Sequence, residues 1–508
     1  MKKLLAVALA AVSISTFAAW ERVGALQVAD MKAIKDAAVK VGQMFGNPIV
    51  AAGVESGLAE VPMFTFFGPM RPKSSMLFSL LVKSDVLAKE PEKAFGELEY
   101  AMLYPMSITK DAFVKLHEGA YETNGVVVVK GTLDGSNPDT DKTYVVFSKD
   151  GKWAGASDNL EHCAVVLKDA AIAEKSMDGE IARVMVDRSA FKAVGDLLSK
   201  QKDVAPDVLA CVKALRSVVL GVKVSDLGID LAAGLKMDDG SKLSKVGLKP
   251  LAADPFAFAG KSAFCAKNLQ AEDCERMCMS GGDLTDGQWA ALLSVCRKYG
   301  IDIAKFLTRA SAGGKTLYTY DFGALFKFVQ ENEEKIGKID AMALMGDIAA
   351  VCKDGKLGAQ KRANAVAVSV KGFNPKWPIA ERFAATLPEA AGGKPFCVGF
   401  FSVSSFLKSL VPHLVALIPE AQRKEMGPML DALAVEFKCG IASAYSREGD
   451  EIKALTRISA DEIRGIGGIA NGVMSMGLMN AFGGGDEDQD DTQDTQAAPA
   501  APAAGNAK

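Results

Sequence analysis

The sequence predicts an α+β fold: repeated strand-helix-helix-hairpin units forming mainly antiparallel sheets covered by helices. Three observations predict it. One strand-to-helix pattern recurs six times along 508 residues. Predicted strands come directly one after another, as hairpins do and as parallel βαβ units do not. Composition is that of a globular chain, with 49% hydrophobic and 24% charged residues, which excludes a wholly disordered chain, a collagen-like chain and a polytopic membrane protein.

The pattern is an apolar run, a capping-type residue, two variable positions, a small residue and a large apolar one. It occurs at Asp30-x-x-Ala33-Ile34, Thr109-x-x-Ala112-Phe113, Asp187-x-x-Ala190-Phe191, Gly260-x-x-Ala263-Phe264, Asp321-x-x-Ala324-Leu325 and Ser402-x-x-Ser405-Phe406. Asp, Thr and Ser accept hydrogen bonds from the first free helix N–H groups. The large residue four positions on begins the buried helix face. The cap positions are spaced by 79, 78, 73, 61 and 81 residues, a near-regular interval that points to internal repetition.

The segments downstream of the caps support the unit. After Ser402 a helix is expected to about Leu417, a second over Glu420–Leu433, a strand over Val435–Tyr445, a turn at Glu448-Gly449-Asp450 and a return strand over Ile452–Ile458. After Asp187 the same order gives a helix, a helix near Pro206–Leu215, and strands near Val218–Val224 and Ile229–Met237. Asp150-Gly151 between Tyr144–Ser148 and Trp153–Ala156 suits a primed hairpin turn.

The chain ends are of another kind. Residues 1–18 carry Lys2 and Lys3, an apolar stretch Leu4–Ile14 too short to span a bilayer, and small residues at Thr16 and Ala18. These are the parts of an export signal, in order, with cleavage after Ala18. Residues 19–250 are expected to form an N-terminal α+β half and residues 251–482 a C-terminal half. Residues 483–508 read as a disordered tail, with Gly483-Gly484-Gly485, six acids and an Ala/Pro stretch. Without Lys2, Lys3 and the tail, the body holds 56 of the 59 basic and 56 of the 62 acidic residues. It therefore carries no field of one sign, and nucleic acid is not an expected partner.

The shortest interval holds four of nine cysteines, Cys265, Cys274, Cys278 and Cys296. Residues 265–300 are expected to replace the unit's hairpin with a helical hairpin, its second helix running over Thr285–Tyr299 and stopped by Gly300. In an oxidising compartment these cysteines are candidates for two disulfides, whose pairing the sequence leaves open. A soft-metal alternative rests on Cys274-x-x-Met277-Cys278-Met279 and Met474-x-Met476-x-x-Met479, groups that suit Cu(I).

No catalytic, cofactor-binding or metal-ligating set is assigned from the sequence, and no cofactor is expected. Three Ser-x-x-Lys sequences (Ser107–Lys110, Ser189–Lys192, Ser405–Lys408) and a Ser157-Asp158-Asn159 resemble two motifs of penicillin-recognising serine enzymes. The third motif, Lys-Ser/Thr-Gly, is absent. His117, His162 and His413 are scattered, and a triad could draw on any of them. Gly465-x-Gly467-x-x-Ala470 matches a dinucleotide fingerprint in form but lacks its βαβ setting; it reads better within a final helix over Ile466–Phe482. The functional expectation is an exported, non-enzymatic bacterial binding or scaffold protein, periplasmic or secreted, with a protein, lipid or polymer partner and no transmembrane span in the mature chain. The alternatives are an extracytoplasmic serine hydrolase using a Ser-x-x-Lys serine, and a copper-binding protein.

Overall fold

Strands, some of them in hairpins, are interspersed with helices through the described residues. The computed structural model describes residues 20–45, 66–131, 142–175, 177–201, 206–238, 264–268, 284–312, 315–353, 365–372, 395–416 and 440–475, with positions 204, 251, 420 and 423. The first part contains β1 (Trp20–Val28), α1 (Met31–Phe45), β2 (Met76–Lys83), α2 (Ser84–Lys89), α3 (Pro91–Ala94), β3 (Glu99–Pro105), α4 (Lys110–Leu116), β4 (Tyr121–Thr123), β5 (Val126–Lys130), β6 (Lys142–Phe147), β7 (Trp153–Ser157), α5 (Leu160–Leu167), α6 (Ala170–Ala173), β8 (Glu180–Asp187), α7 (Arg188–Ser199), α8 (Pro206–Ala214), β9 (Leu215–Ser225) and β10 (Gly228–Met237). The second contains β11 (Phe264–Asn268), α9 (Asp286–Lys298), a 3-10 turn at Ile303–Lys305, β12 (Leu307–Ala312), β13 (Lys315–Tyr320), α10 (Phe322–Ile336), α11 (Ala341–Lys353), β14 (Ala365–Val370), β15 (Cys397–Phe401), α12 (Val403–Ala416), β16 (Ile441–Glu448), β17 (Glu451–Ser459) and α13 (Ala460–Ser475).

The fold is α+β, with helices beside one large sheet. The strand order is β4-β5-β6-β7-β3-β2-β1-β8-β9-β10-β17-β16-β15-β11-β14-β13-β12, antiparallel at every step except β13–β14. The expected separate sheets are thus one sheet, and β10 and β17 join its two ends through nine paired positions.

Local chemistry explains the turns. Gly151 (φ 68°) and Gly449 (φ 60°) take the left-handed conformation that closes the β6–β7 and β16–β17 hairpins. Asn124-Gly125, at φ 53° and 84°, closes β4–β5 as a primed turn, a hairpin beyond those expected. Helix α9 begins as expected: Thr285 and Gln288 form a reciprocal capping box, and Gly300 comes after its end at φ 79°.

The strand-to-helix junctions divide. Asp30, Thr109 and Asp321 each accept from the backbone N–H three residues on, at 2.9, 3.3 and 2.9 Å. Asp187 heads α7 without capping it and instead grips Arg22 at 2.7 and 3.2 Å. Ser402 precedes α12 and its hydroxyl donates to buried Glu462 at 3.2 Å. The fourth junction is overturned. Phe264 opens strand β11 rather than a helix, because β14 and β15 flank that segment and take its backbone hydrogen bonds from both sides. The same interval contains the β12–β13 hairpin, so the expected replacement of a hairpin by helices is also corrected. Helix α13 starts at Ala460, six residues before the expected start, because Ser459 Oγ accepts from Glu462 N at 3.1 Å and begins it there. Most of the expected helix over 420–433, the segment 435–439, Cys274, Cys278 and residues 476–508 lie outside the described residues. Cys296 is buried with a free thiol.

Two cores flank the N-terminal end of the sheet. On one face Phe67, Met102, Tyr104, Phe113, Val127 and Val145 are fully enclosed with the α4 helix. On the other, Leu77, Leu81, Leu103 and Trp153 pack with Val166 of α5. His117 closes the first core. Its Nε2 donates to the Phe66 carbonyl at 2.7 Å, and its ring lies 4.6 Å from that of Phe113. Burial pushes this imidazole below its ordinary value, against the opposing pull of the Phe66 hydrogen bond. The unfolded chain therefore takes up the proton first, so the stability present above pH about 6.5 is lost as pH falls through the folded value. The expected result is a urea midpoint that declines with acidification below that point. The decline is shallower in His117→Gln, whose amide keeps the donor; equal slopes would refute the assignment.

Residues paired across strands share a face. One such row is apolar across nine strands: Met102, Phe78, Leu26, Val184, Leu220, Ala233, Ala454, Tyr445 and Cys397. Its ends are buried, whereas Leu26, Val184 and Leu220 in the middle are 37, 41 and 47% exposed. No helix among the described residues is long and apolar enough to cross a membrane.

Candidate functional site

The register of β3 against β7 sets the site. Met102 pairs with Ala156, so Glu99 at the start of β3 lies beside Ser157 and Asp158 at the end of β7. Strand β7 reads Trp-Ala-Gly-Ala-Ser and is buried throughout. Its small residues let α5 approach closely: a Cβ on Gly155 would stand 2.7 Å from the Cys163 carbonyl oxygen. Asn159 caps α5 by accepting from Glu161 N at 3.0 Å. That start places His162 on the inner face of the helix, with no solvent exposure.

Ser157 fixes the imidazole. Its Oγ lies 3.1 Å from His162 Nδ1, 3.1 Å from the Tyr100 carbonyl oxygen, 3.1 Å from Asp158 Oδ1 and 3.3 Å from Asn159 N. The Tyr100 and Asp158 oxygens only accept, and the single hydroxyl proton serves one acceptor at a time. In the tautomer protonated at Nδ1 the ring donates to Ser157 and Nε2 presents its lone pair. That Nε2 is buried without a hydrogen bond, although Glu99 Oε2 stands 3.2 Å away. Glu99, Asp158 and His162 offer ligand atoms within 4.8 Å of one another. Trp20 covers the imidazole edge-on at 4.2 Å and donates its indole N–H to Glu161 at 3.1 Å. Lys83 lies 5.4 Å from the Trp20 ring centre.

Burial, first, and the charge of Asp158, second, push the Glu99 carboxyl up; Lys83 and the Asn159 amide oppose them. Burial pushes the His162 imidazole down, against the pull of Asp158 and Glu161.

The other sequence candidates are elsewhere. Ser107 donates to the Pro69 carbonyl, and Lys110 pairs with Glu122 at 2.7 Å. Ser107 and Ser157 sit at opposite ends of β7, since Met106 N binds Lys152 O at one end and Ser157 binds Tyr100 at the other. The structure therefore does not bring together the first Ser-x-x-Lys and the Ser-Asp-Asn. Ser189 donates to the Arg22 carbonyl at 3.2 Å. The side chains of Ser405 and Lys408 lie outside the described residues, as do those of Cys265, Cys274, Cys278 and the methionine cluster at 474–479. His413 is in α12 and stacks on Phe326 at 6.0 Å. Gly465 and Gly467 lie within α13, where a Cβ on Gly467 would meet the Phe45 ring at 3.3 Å. That glycine serves the contact with α1 rather than a phosphate. His162 and Asp158 are candidates visible separately in the sequence, whereas Glu99 is not, since only the β3–β7 register brings it to them. An open depression of about 650 Å³ near α4, lined by Met31, Pro69, Met70, Ile108, Ala112 and Leu116, has no titratable lining residue.

No family model matches the chain, and no curated protein matches it. A solved structure, crystal form I of TP0453, is similar over 43% of this chain and 76% of that chain, at 8% identity and a TM-score of 0.21. At that score it bears on neither fold nor function.

Proposed function

We propose that the chain is an exported, non-enzymatic binding protein that engages an apolar partner through the open face of its sheet. The observation that carries this reading is the cross-strand row Leu26–Val184–Leu220, apolar and more than one third exposed on three adjacent strands. A solvated sheet face ordinarily alternates to polar residues, and contiguous exposed apolar surface marks interaction sites. The N-terminal signal pattern supports export. The similar order of β8-α7-α8-β9-β10 and of β15-α12 followed by β16-β17 supports a duplicated unit, with the two copies meeting at β10–β17. The structural hydrogen bonds of Ser107 and Ser189 favour binding over serine hydrolysis.

The test is saturable binding of an apolar fluorescent dye, anilinonaphthalene sulfonate, to the native chain. Because these positions already meet water, Val184→Thr with Leu220→Gln is expected to keep the fold and to weaken dye binding at least tenfold. Equal binding by the double variant would discard the face as the site. Covalent capture of Ser107, Ser189 or Ser405 by a fluorophosphonate probe would restore the hydrolase alternative.

A further inference from the structure

We propose that Glu99, Asp158 and His162 form a site for one divalent first-row transition-metal cation, with Ser157 orienting the imidazole. The site is independent of the apolar face and lies at the β3–β7–α5 corner.

His162 is wholly buried, and its Nε2 has no hydrogen bond. Nδ1 lies 3.1 Å from Ser157 Oγ, and in the tautomer protonated at Nδ1 the Nε2 lone pair faces Glu99 Oε2, 3.2 Å away. A cation between these two atoms would be held by both, and Asp158 adds a third ligand atom, all within 4.8 Å of one another. One imidazole and two carboxylates are ligands suited to zinc-class ions. The Nδ1–H to Ser157 bond is the outer contact by which metal-bound histidines are usually oriented.

The geometry closes with small movements. Ligands about 2.0–2.2 Å from one ion stand roughly 3–3.5 Å apart. The Nε2 and Glu99 oxygen already do. Asp158 is exposed and Glu99 is 43% exposed, so their carboxylates can rotate inward from the 4.8 Å spread. Water completes the coordination from the open side. Lys83 is the nearby charge that opposes a cation, and Glu161 the one that favours it.

The experiment titrates the purified chain, acidic tail included, with Co(II) while visible d–d absorption and tryptophan emission are read, then back-titrates with Zn(II). The expected result is one Co(II) per chain with nitrogen and oxygen ligation, displaced by Zn(II) and not by equimolar Ca(II). His162→Gln is expected to abolish it. Ser157→Ala weakens it about 10–100-fold, the usual cost of removing an outer-shell partner. Because His162 and Ser157 are buried, Asp158→Asn provides the exposed variant that keeps the fold, and it is expected to weaken binding at least tenfold. The tail is common to all variants, so their differences report this site alone. Binding unchanged in Asp158→Asn would assign the ions to the tail and overturn the proposal. Absence of binding at neutral pH would overturn it too and leave a shared proton between His162 and Glu99.

Discussion

Asp230→Ala is expected to cost about 3–5 kcal/mol, the size typical of breaking a buried ion pair from one side. Asp230 and Arg457 are directly opposed on β10 and β17. Arg457 Nε and Nη2 donate to the two carboxylate oxygens at 2.6 and 2.7 Å, with side chains only 10 and 11% exposed. Removing the carboxylate leaves a guanidinium buried at the seam that joins the two ends of the sheet. Removing both charges is a different change: Asp230→Leu with Arg457→Leu is expected to lie near the wild type, since apolar replacements of similar volume often match a buried pair. Urea unfolding of the single and double variants checks both. A single variant within about 1 kcal/mol of the wild type would mean that the pair is solvated and contributes as a surface bridge does.

Phe113→Ala is the second large effect, also about 3–5 kcal/mol. The ring is fully buried and packs on Phe66, Phe67, His117 and Phe147, with centroids 4.6 to 5.9 Å away. Rings on this many sides cannot collapse into the space left, so the cavity persists. Phe113→Leu refills much of it and is expected to recover at least half of the loss. Phe113 and the Asp230–Arg457 seam share no partner, so their effects should add. A strongly non-additive double variant would show that the sheet transmits strain from α4 to the β10–β17 seam.

The legible parts of the fold were those whose physics is local. Asp150-Gly151 and Glu448-Gly449-Asp450 marked turns because a left-handed residue is needed there. The helix expected over Thr285–Tyr299 is α9, which begins one residue later with Thr285 as its cap. The helix after Ser402 and the strand order after Asp187 came from the same signals. Phe264 shows the limit. Its short apolar run with a small residue suits a helix start or a buried strand, and only two flanking strands distant in sequence decided for the strand. The candidate site shows the same limit: His162 and Asp158 share a local turn, but Glu99 arrives by sheet register.

The α+β class, the turns at Gly151 and Gly449, the caps at Asp30, Thr109 and Asp321 and the partition of charge between a balanced body and an acidic tail are written in the sequence. Those properties depend on residues within a few positions of one another. Folding in three dimensions was needed to join the strands into one sheet and to bring Asp230 to Arg457 from 227 positions away. It was needed too to leave an apolar row open to solvent and to turn a buried imidazole nitrogen toward two carboxylates. Each of these depends on which strand lies beside which. That choice is made by burial and backbone pairing summed over the whole chain, and no single stretch of sequence records the sum.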